Sequence, residues 1–528
     1  MPINEGMTSV VIKPEMKITI NDVYDVACRG KRVELSEETL TLLHKDRHQL
    51  ERKINDNQLI YGVNTGFGGN SRRIVPAEQA AEHQNNLLAF LSAGTGEYFP
   101  VCYVRAAQFL TLLAITRGWS AVRPEVANIL AAHINSGIIP DVPRFGSVGA
   151  SGDLIPSSYI ANAICGRGNV VFGEQRMPAL EAITLAGLHV VELQSKEGLA
   201  LVNGTRMMTA VASLTCRSLD RTYRAALAAL ALTAEALEAS VAHYDERIQK
   251  VKGHPGQIAV GKILRSLLST PQKNSHLASD KETVDAIKST VATTREEEAQ
   301  EVYSLRCAPQ ILGVVAESIA SACAVVEREA VSVNDNPLID PENGDILHGG
   351  NFMGNHIART MDGLKLDIAL VANHMHSLMA LLMDSRFSKG LPNSLSPENG
   401  IGHGFKGTQL SQTALVAHIR WGSSPSSVHT LPTEQFNQDI VSLGLHSAQT
   451  AAELEVRLRD VVSINILAAC QAIDIRSKKN ALSGPLVELY SAVRRVSPML
   501  TQDRALDKDI AAVSHLIADG LPLPDCIL

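Results

Sequence analysis

The sequence predicts a mainly α protein, a long-helix bundle with a small mixed region at its N-terminus. Residues 207–244 are rich in Ala and Leu and contain neither Gly nor Pro. Residues 311–333 and 446–476 have the same texture, each broken by at most one Gly. At 1.5 Å rise per residue, about 35 residues make a helix of roughly 50 Å. The apolar positions of these runs spread beyond one stripe, and a helix apolar nearly all round must be buried among other helices. One chain leaves much of that face uncovered, so neighbouring subunits are expected to complete the bundle.

The elements before the bundle are short. Residues 17–20 and 169–172, the latter followed by Gly173, are expected as strands. Ser36 before Glu37 and Glu38 reads as a helix start, with a capping hydroxyl and acids in the first turn. The change of texture divides the chain into an N-terminal region, 1–205, and a helical region, 206–528. Residues 271–301 are polar and charged. They read as a solvated helix and linker, placed just before Tyr303 where a flap could sit. No internal repeat or low-complexity tract interrupts the pattern.

Composition excludes several functions. The chain has 528 residues, 45% apolar and 20% charged, which is ordinary for a globular protein. A net charge of −7 without basic blocks gives no footprint for nucleic acid or an anionic membrane. The longest uncharged run, residues 368–383, contains two histidines and falls short of the roughly 20 apolar residues a bilayer needs. The N-terminal residues Met1 to Glu5 have neither a basic start nor an apolar segment, so no secretory signal is expected. The eight cysteines never form a CxxC pair, which fits reduced thiols in a cytoplasmic protein.

The chemistry is carried by Arg144-Phe145-Gly146-Ser147-Val148-Gly149-Ala150-Ser151-Gly152-Asp153-Leu154. It lacks the Gly-Lys-Ser/Thr ending of a phosphate loop and the spacing of a dinucleotide fingerprint, so no nucleotide is expected. As a serine-hydrolase elbow it fails at one position, since Asp153 replaces the last glycine. A third chemistry fits. The Gly152 nitrogen can attack the Ala150 carbonyl carbon and close a five-membered ring. Loss of two waters, one from Ser151, leaves an exocyclic methylene, an electrophile that none of the twenty side chains provides. Gly permits the close approach, Ser supplies the leaving hydroxyl and Ala adds little bulk.

This tripeptide, in Gly-Ser-Val-Gly-Ala-Ser-Gly-Asp-Leu, resembles the cofactor-forming signature of the aromatic amino acid ammonia-lyases, where it becomes 4-methylidene-imidazol-5-one (MIO). The likeness covers nearly the whole chain. It includes Tyr61-Gly62-Val63-Asn64-Thr65-Gly66-Phe67-Gly68, Leu201-Val202-Asn203-Gly204-Thr205 and Tyr303-Ser304-Leu305-Arg306. It continues through Asn334-Asp335-Asn336-Pro337, His348-Gly349-Gly350-Asn351-Phe352 and Glu434-Gln435-Phe436-Asn437-Gln438-Asp439. Bacterial phenylalanine ammonia-lyases are the nearest likeness. The resemblance implies the fumarase/aspartase-like helical fold, an MIO formed autocatalytically, and a homotetramer whose sites draw on three chains.

It also implies roles. The substrate amine adds to the MIO methylene, and Tyr61 then removes the β-proton. A phenol with a reference pKa near 10 does this at moderate pH only where its surroundings favour the phenolate, as converging helix N-termini would. Arg306 is implied to clamp the substrate carboxylate, a contact suited to its fork, with Tyr303 beside the MIO. Asn203 and Asn336 would hold the MIO carbonyl or the substrate. Gln310, Phe352, Glu434 and Gln438 complete the shell. Histidine lyases carry Glu where Gln438 stands, which argues against histidine as substrate.

Phe90, Leu91, Leu154, Leu199, Lys406 and Leu410 are implied to face the aromatic ring. Phe90-Leu91 resembles the pair of phenylalanine-using relatives, whereas tyrosine-using relatives carry His first. The expected activity is conversion of L-phenylalanine to cinnamate and ammonia. The alternatives are an aminomutase, a tyrosine lyase, and a non-catalytic scaffold with the tripeptide uncyclised. No metal is expected, since His374 and His376, two apart on a helix, point roughly 200° apart.

Overall fold

The helix punctuation of the sequence reappears in the backbone of this computed structural model, which describes residues 9–268, 287–288, 290, 292, 300–396, 401–477 and 479–524. Ser36 caps helix Glu37–Asn55, its Oγ accepting from Thr39 N at 3.2 Å. Strand Asn169–Phe172 forms as expected, between Ile139–Pro140 and Gln175–Pro178 in an antiparallel sheet. Residues 17–20 do not form a strand. Thr19 is the N-cap of helix Ile20–Arg29: its Oγ1 accepts from Asp22 N, and Asp22 Oδ2 accepts from Thr19 N. This capping box satisfies two helix-end donors and outweighs the β preference of the branched residues there. The strands of this region are instead Val10–Ile12 and Val33–Leu35, paired in parallel.

Four long helices dominate: Arg206–Ala236, Ala308–Ala330, Asn355–Met383 and Gly444–Ile475. The architecture is the long-helix bundle the sequence predicts. In Arg206–Ala236 the residues from Ala225 onward are all buried, matching the all-round apolar pattern. This helix stops at Ala236, short of the run to residue 244, which closes in a 3-10 turn, Val241–Tyr244. Two of the four, Ala308–Ala330 and Asn355–Met383, are long and apolar enough to cross a membrane by length and composition. About half of each apolar window is buried within the chain, 44% and 56%.

The chain forms two compact units. One comprises Met1–Arg217, Ala322–Gly363 and Pro425–Ala452; the other comprises Ser218–Ser321, Leu364–Ser424 and Glu453–Leu528. Both are discontinuous, because four of the five boundaries fall inside the long helices. The change of texture after Thr205 therefore marks the start of a helix, and the units divide elsewhere. In the first unit, Leu50, Ile60, Val63, Ala121 and Ile339 form one apolar cluster. It anchors the loop that carries Tyr61. None of the seven described cysteines is joined in a disulfide. The polar stretch 271–301, with its expected linker and flap, lies largely outside the described residues.

Candidate active site

In the first unit, three helices begin at the Ser151 loop. Helix Leu154–Ile164 follows it directly. Helix Arg206–Ala236 begins just past Gly204, which forms a parallel bridge with Gly152: Gly204 N donates to Ser151 O at 3.1 Å and Asp153 N to Gly204 O at 2.8 Å. Helix Gly444–Ile475 begins just past Ser442 and Leu443, whose nitrogens donate to Gly149 O and Val148 O. Each start carries partial positive charge from first-turn N–H groups that have no partner within the helix.

The loop fits the ring closure. Ser151 O and Asp153 N are fixed by Gly204, and Gly149 O by Ser442. The two groups the closure joins, Gly152 N and Ala150 C=O, have no hydrogen-bond partner among the described residues. Gly152 has φ +71°, and a Cβ there would meet the Gly204 carbonyl oxygen, so only glycine fits. Gln438 Nε2 donates to Ser151 Oγ at 3.4 Å.

Tyr61 lies against the same group of loops. Its phenol oxygen accepts from Gly68 N at 2.8 Å, and both Glu434 carboxylate oxygens accept from Gly69 N, at 3.0 and 3.2 Å. A side chain at Gly68 would collide with the Glu434 carboxylate. The expectation that the surroundings favour the Tyr61 phenolate is not met. Burial pushes this phenol above its usual value, and the Glu434 charge adds to the rise; only the Gly68 N–H opposes them. Glu434, Gln435 and Phe436 all take left-handed φ, +49°, +55° and +61°. Non-glycine residues hold such angles at a cost of about 1 kcal/mol or more each, a strain that clusters at functional sites.

The two asparagines meet through Asp335. Asn203 Nδ2 donates to Asp335 Oδ1 at 3.1 Å and to Asn336 O at 3.2 Å, while Asn336 Oδ1 accepts from Gly349 N at 2.8 Å. The first of these differs from a role in which the Asn203 amide nitrogen donates to the MIO carbonyl, because that nitrogen is already engaged. Phe352, three residues past Gly349, is half-buried.

Of the residues implied to face the ring, Phe90 is 61% exposed while Leu91 and Leu199 are buried, and Leu154 is half-buried. Adjacent positions on helix Ala80–Leu91 point about 100° apart, which leaves Phe90 exposed and Leu91 buried in this chain. Gln84, fully buried on this helix, was not among the sequence candidates. Its Nε2 donates to Gly62 O and its Oε1 accepts from Leu199 N, tying together the segments of Tyr61, Phe90 and Leu199. A buried Gln at an interior helix position carries no sequence signal of that role.

Buried charges surround the loop. Asp153 accepts from Ser147 Oγ and Met208 N, and burial pushes its carboxyl up to about 6. Arg206, fully buried, donates from Nη1 to Ala200 O and Leu201 O, and feels the charges of Asp335 and Asp153. Lys196 Nζ lies 2.5 Å from Asp335 Oδ2, both side chains almost fully buried. Asp46 is pushed by burial to about 7.

The remaining candidates belong to the second unit. Arg306 lies over the Tyr303 ring at 4.9 Å and donates from Nε to Glu301 O. Gln310 Nε2 reaches Gln249 Oε1 at 3.5 Å, while its own Oε1 is buried without a partner among the described residues. Lys406 opens helix Lys406–Gly422, with Leu410 one turn on and 68% exposed. His374 bonds Ser304 O and His376 bonds Gln412 Oε1, so each is engaged separately. Among the described residues no group of His, Cys, Asp and Glu has the arrangement of a metal site.

Comparison with known proteins gives consistent results. Residues 18–495 match the family model for aromatic amino acid lyases. A hal-like protein of Dictyostelium discoideum is 50% identical over 503 residues, covering 95% of this chain and 94% of its own. A histidine ammonia-lyase of Gloeobacter violaceus is 34% identical, covering 97% of each chain. The solved phenylalanine aminomutase of Pantoea agglomerans superposes with a TM-score of 0.93 at 31% identity, over 97% of this chain and 99% of its own. The chain is a carbon–nitrogen lyase scaffold for small-molecule substrates, and it belongs to the aromatic amino acid lyase family.

Proposed function

We propose that the protein is a phenylalanine ammonia-lyase, converting L-phenylalanine to cinnamate and ammonia with an MIO formed from Ala150, Ser151 and Gly152. The observation that carries the substrate choice is Gln438 beside Ser151 Oγ, in the place where histidine lyases resemble one another in carrying Glu. Phe90 supports it, since an apolar side chain there offers no partner to a phenol or an imidazole. The MIO supplies an electrophilic methylene. The chain's own residues do the rest: Arg306 holds the carboxylate with its fork, and the Tyr61 oxygen takes the β-proton. The Gly68 N–H stabilises that oxygen when it is charged. Against this works the burial that raises the phenol, so activity should climb with pH on the alkaline side and that limb should vanish in Tyr61→Phe. We also place the protein in the cytoplasm as a homotetramer; exposed Val314, Leu366 and Leu370 on its long helices, with Trp421 on helix Lys406–Gly422, suit subunit contacts.

A second reading, phenylalanine 2,3-aminomutase, is favoured by the likeness to the Pantoea agglomerans enzyme. Incubation with L-phenylalanine separates the two: cinnamate as the accumulating product supports the lyase, and β-phenylalanine the mutase. Intact mass should fall short of the translated chain by two waters, and Ser151→Ala should restore those waters and abolish turnover while staying folded. Phe90→His should shift the ratio of kcat/KM toward tyrosine by roughly fivefold to 150-fold, as a partner for the phenol is gained. An unchanged ratio would mean that Phe90 does not face the ring.

A further inference from the structure

Asn203 has two neighbours that can only accept a hydrogen bond from its amide. One is Asp335 Oδ1 at 3.1 Å, the other the carbonyl oxygen of Asn336 at 3.2 Å. Both amide hydrogens are therefore committed, and Oδ1, which has no partner among the described residues, is what Asn203 has left to offer. Asn336 is committed in the opposite sense. Its Oδ1 accepts from Gly349 N at 2.8 Å, leaving Nδ2 as a donor. The polarity of this pair depends on Asp335 being an acceptor only, that is, ionised. An isolated carboxylate at 1% side-chain exposure would be expelled or protonated. Lys196 prevents this: its Nζ lies 2.5 Å from Asp335 Oδ2, from a backbone held at φ +75°. Asp335 Oδ1 also accepts from Asn336 N at 2.6 Å, so one carboxylate touches both asparagines.

We infer that the Lys196–Asp335 ion pair is a positioning device that fixes the polarity of Asn203, turning its carbonyl oxygen outward to accept from the substrate's α-amino group. Neither residue touches substrate. The inference rests on the reading of the protein as acting on an aromatic α-amino acid, and not on which ring it carries.

The test uses the full chain with Ser151→Ala, which holds substrate without turning it over. Affinities for L-phenylalanine, L-tyrosine and L-histidine are measured by calorimetry beside their deaminated counterparts, the corresponding 3-arylpropanoates. In this background Lys196→Met/Asp335→Leu removes both buried charges together, a replacement that buried ion pairs often tolerate; removing Asp335 alone strands Lys196. Where the double change stays folded, the amino acid should lose affinity by about tenfold or more relative to its deaminated partner. With Ser151 restored, the same double variant should still show the two-water mass loss. An unchanged ratio in a folded variant overturns the inference, as does a parent that shows no preference for the amino acid with any ring. A parent that prefers histidine or tyrosine refutes the phenylalanine reading while leaving the ratio as the measure of Asp335. If the double variant fails to fold, Lys196→Met/Asp335→Asn decides: it strands no charge, the amide lets Asn203 turn, and the ratio should fall there too.

Discussion

Asp46 and Asp153, in the first unit, and Asp245 and Asp384, in the second, are the same side chain in opposite settings. Burial drives the first two up, to about 7 and about 6. Asp245 and Asp384 are only partly exposed, beside the solvent-exposed Arg247 and Arg386, and the arginine hydrogen bonds hold both carboxyls below their usual range, Asp384 at about 2. The exposed pairs satisfy themselves within two residues of sequence and contribute little. The buried acids cost stability unless partnered, yet Asp153 stands two residues from Ser151 and Asp46 feels the Lys196–Asp335 pair that bonds Asn203. A fold that tolerates such groups there is using them to hold geometry.

Removing one buried partner should break this balance most severely. Arg206→Met leaves Asp153 and Asp335 without a cation they both feel, and about 3–5 kcal/mol of stability should be lost in denaturant titration. Asp153→Asn added to it should recover a large part, since the amide still accepts from Met208 N while carrying no charge. If the double variant is no more stable than the single, the charges are not coupled.

Asp46 sharpens the comparison through pH. Its folded carboxyl near 7 lies above the unfolded value of 3.8, so between those values the folded chain holds a proton that the unfolded chain has released. Stability should therefore fall as pH rises from about 4 to about 7. Asp46→Asn keeps the acceptor for Ala121 N and should flatten this slope, gaining stability at pH 8 with a ceiling of about 4 kcal/mol. A slope that persists unchanged assigns it to other groups, such as Asp153 and Asp367.

The smallest effect is expected at the exposed pair. Asp384→Ala removes a short-range arginine contact in solvent, and thermal melting should move by no more than about two degrees. A larger loss would place that pair with the buried group.

Much of the architecture was legible because it is local. Runs without Gly or Pro marked the long helices, and Ser36 with two following acids marked a cap that the backbone then used. Residues 17–20 carry the β-branched pattern of a strand, but the Thr19–Asp22 capping box, an equally local signal, starts a helix there. The motifs that carry Tyr61, Ser151, Asn203, Asn336, Glu434 and Gln438 were likewise legible as short strings. What they do together was not.

The sequence by itself determined the helical texture, the caps and the tripeptide able to cyclise, since each depends on residues within a few positions of one another. Tertiary structure alone decided that Lys196 meets Asp335 across 139 residues, that Gln84 joins Gly62 to Leu199, and that Asn203 turns its amide nitrogen inward. It also decided that Glu434, Gln435 and Phe436 are held left-handed. Burial and hydrogen-bond partnership set the charge and orientation of these groups, and both are properties of surroundings assembled from distant parts of the chain.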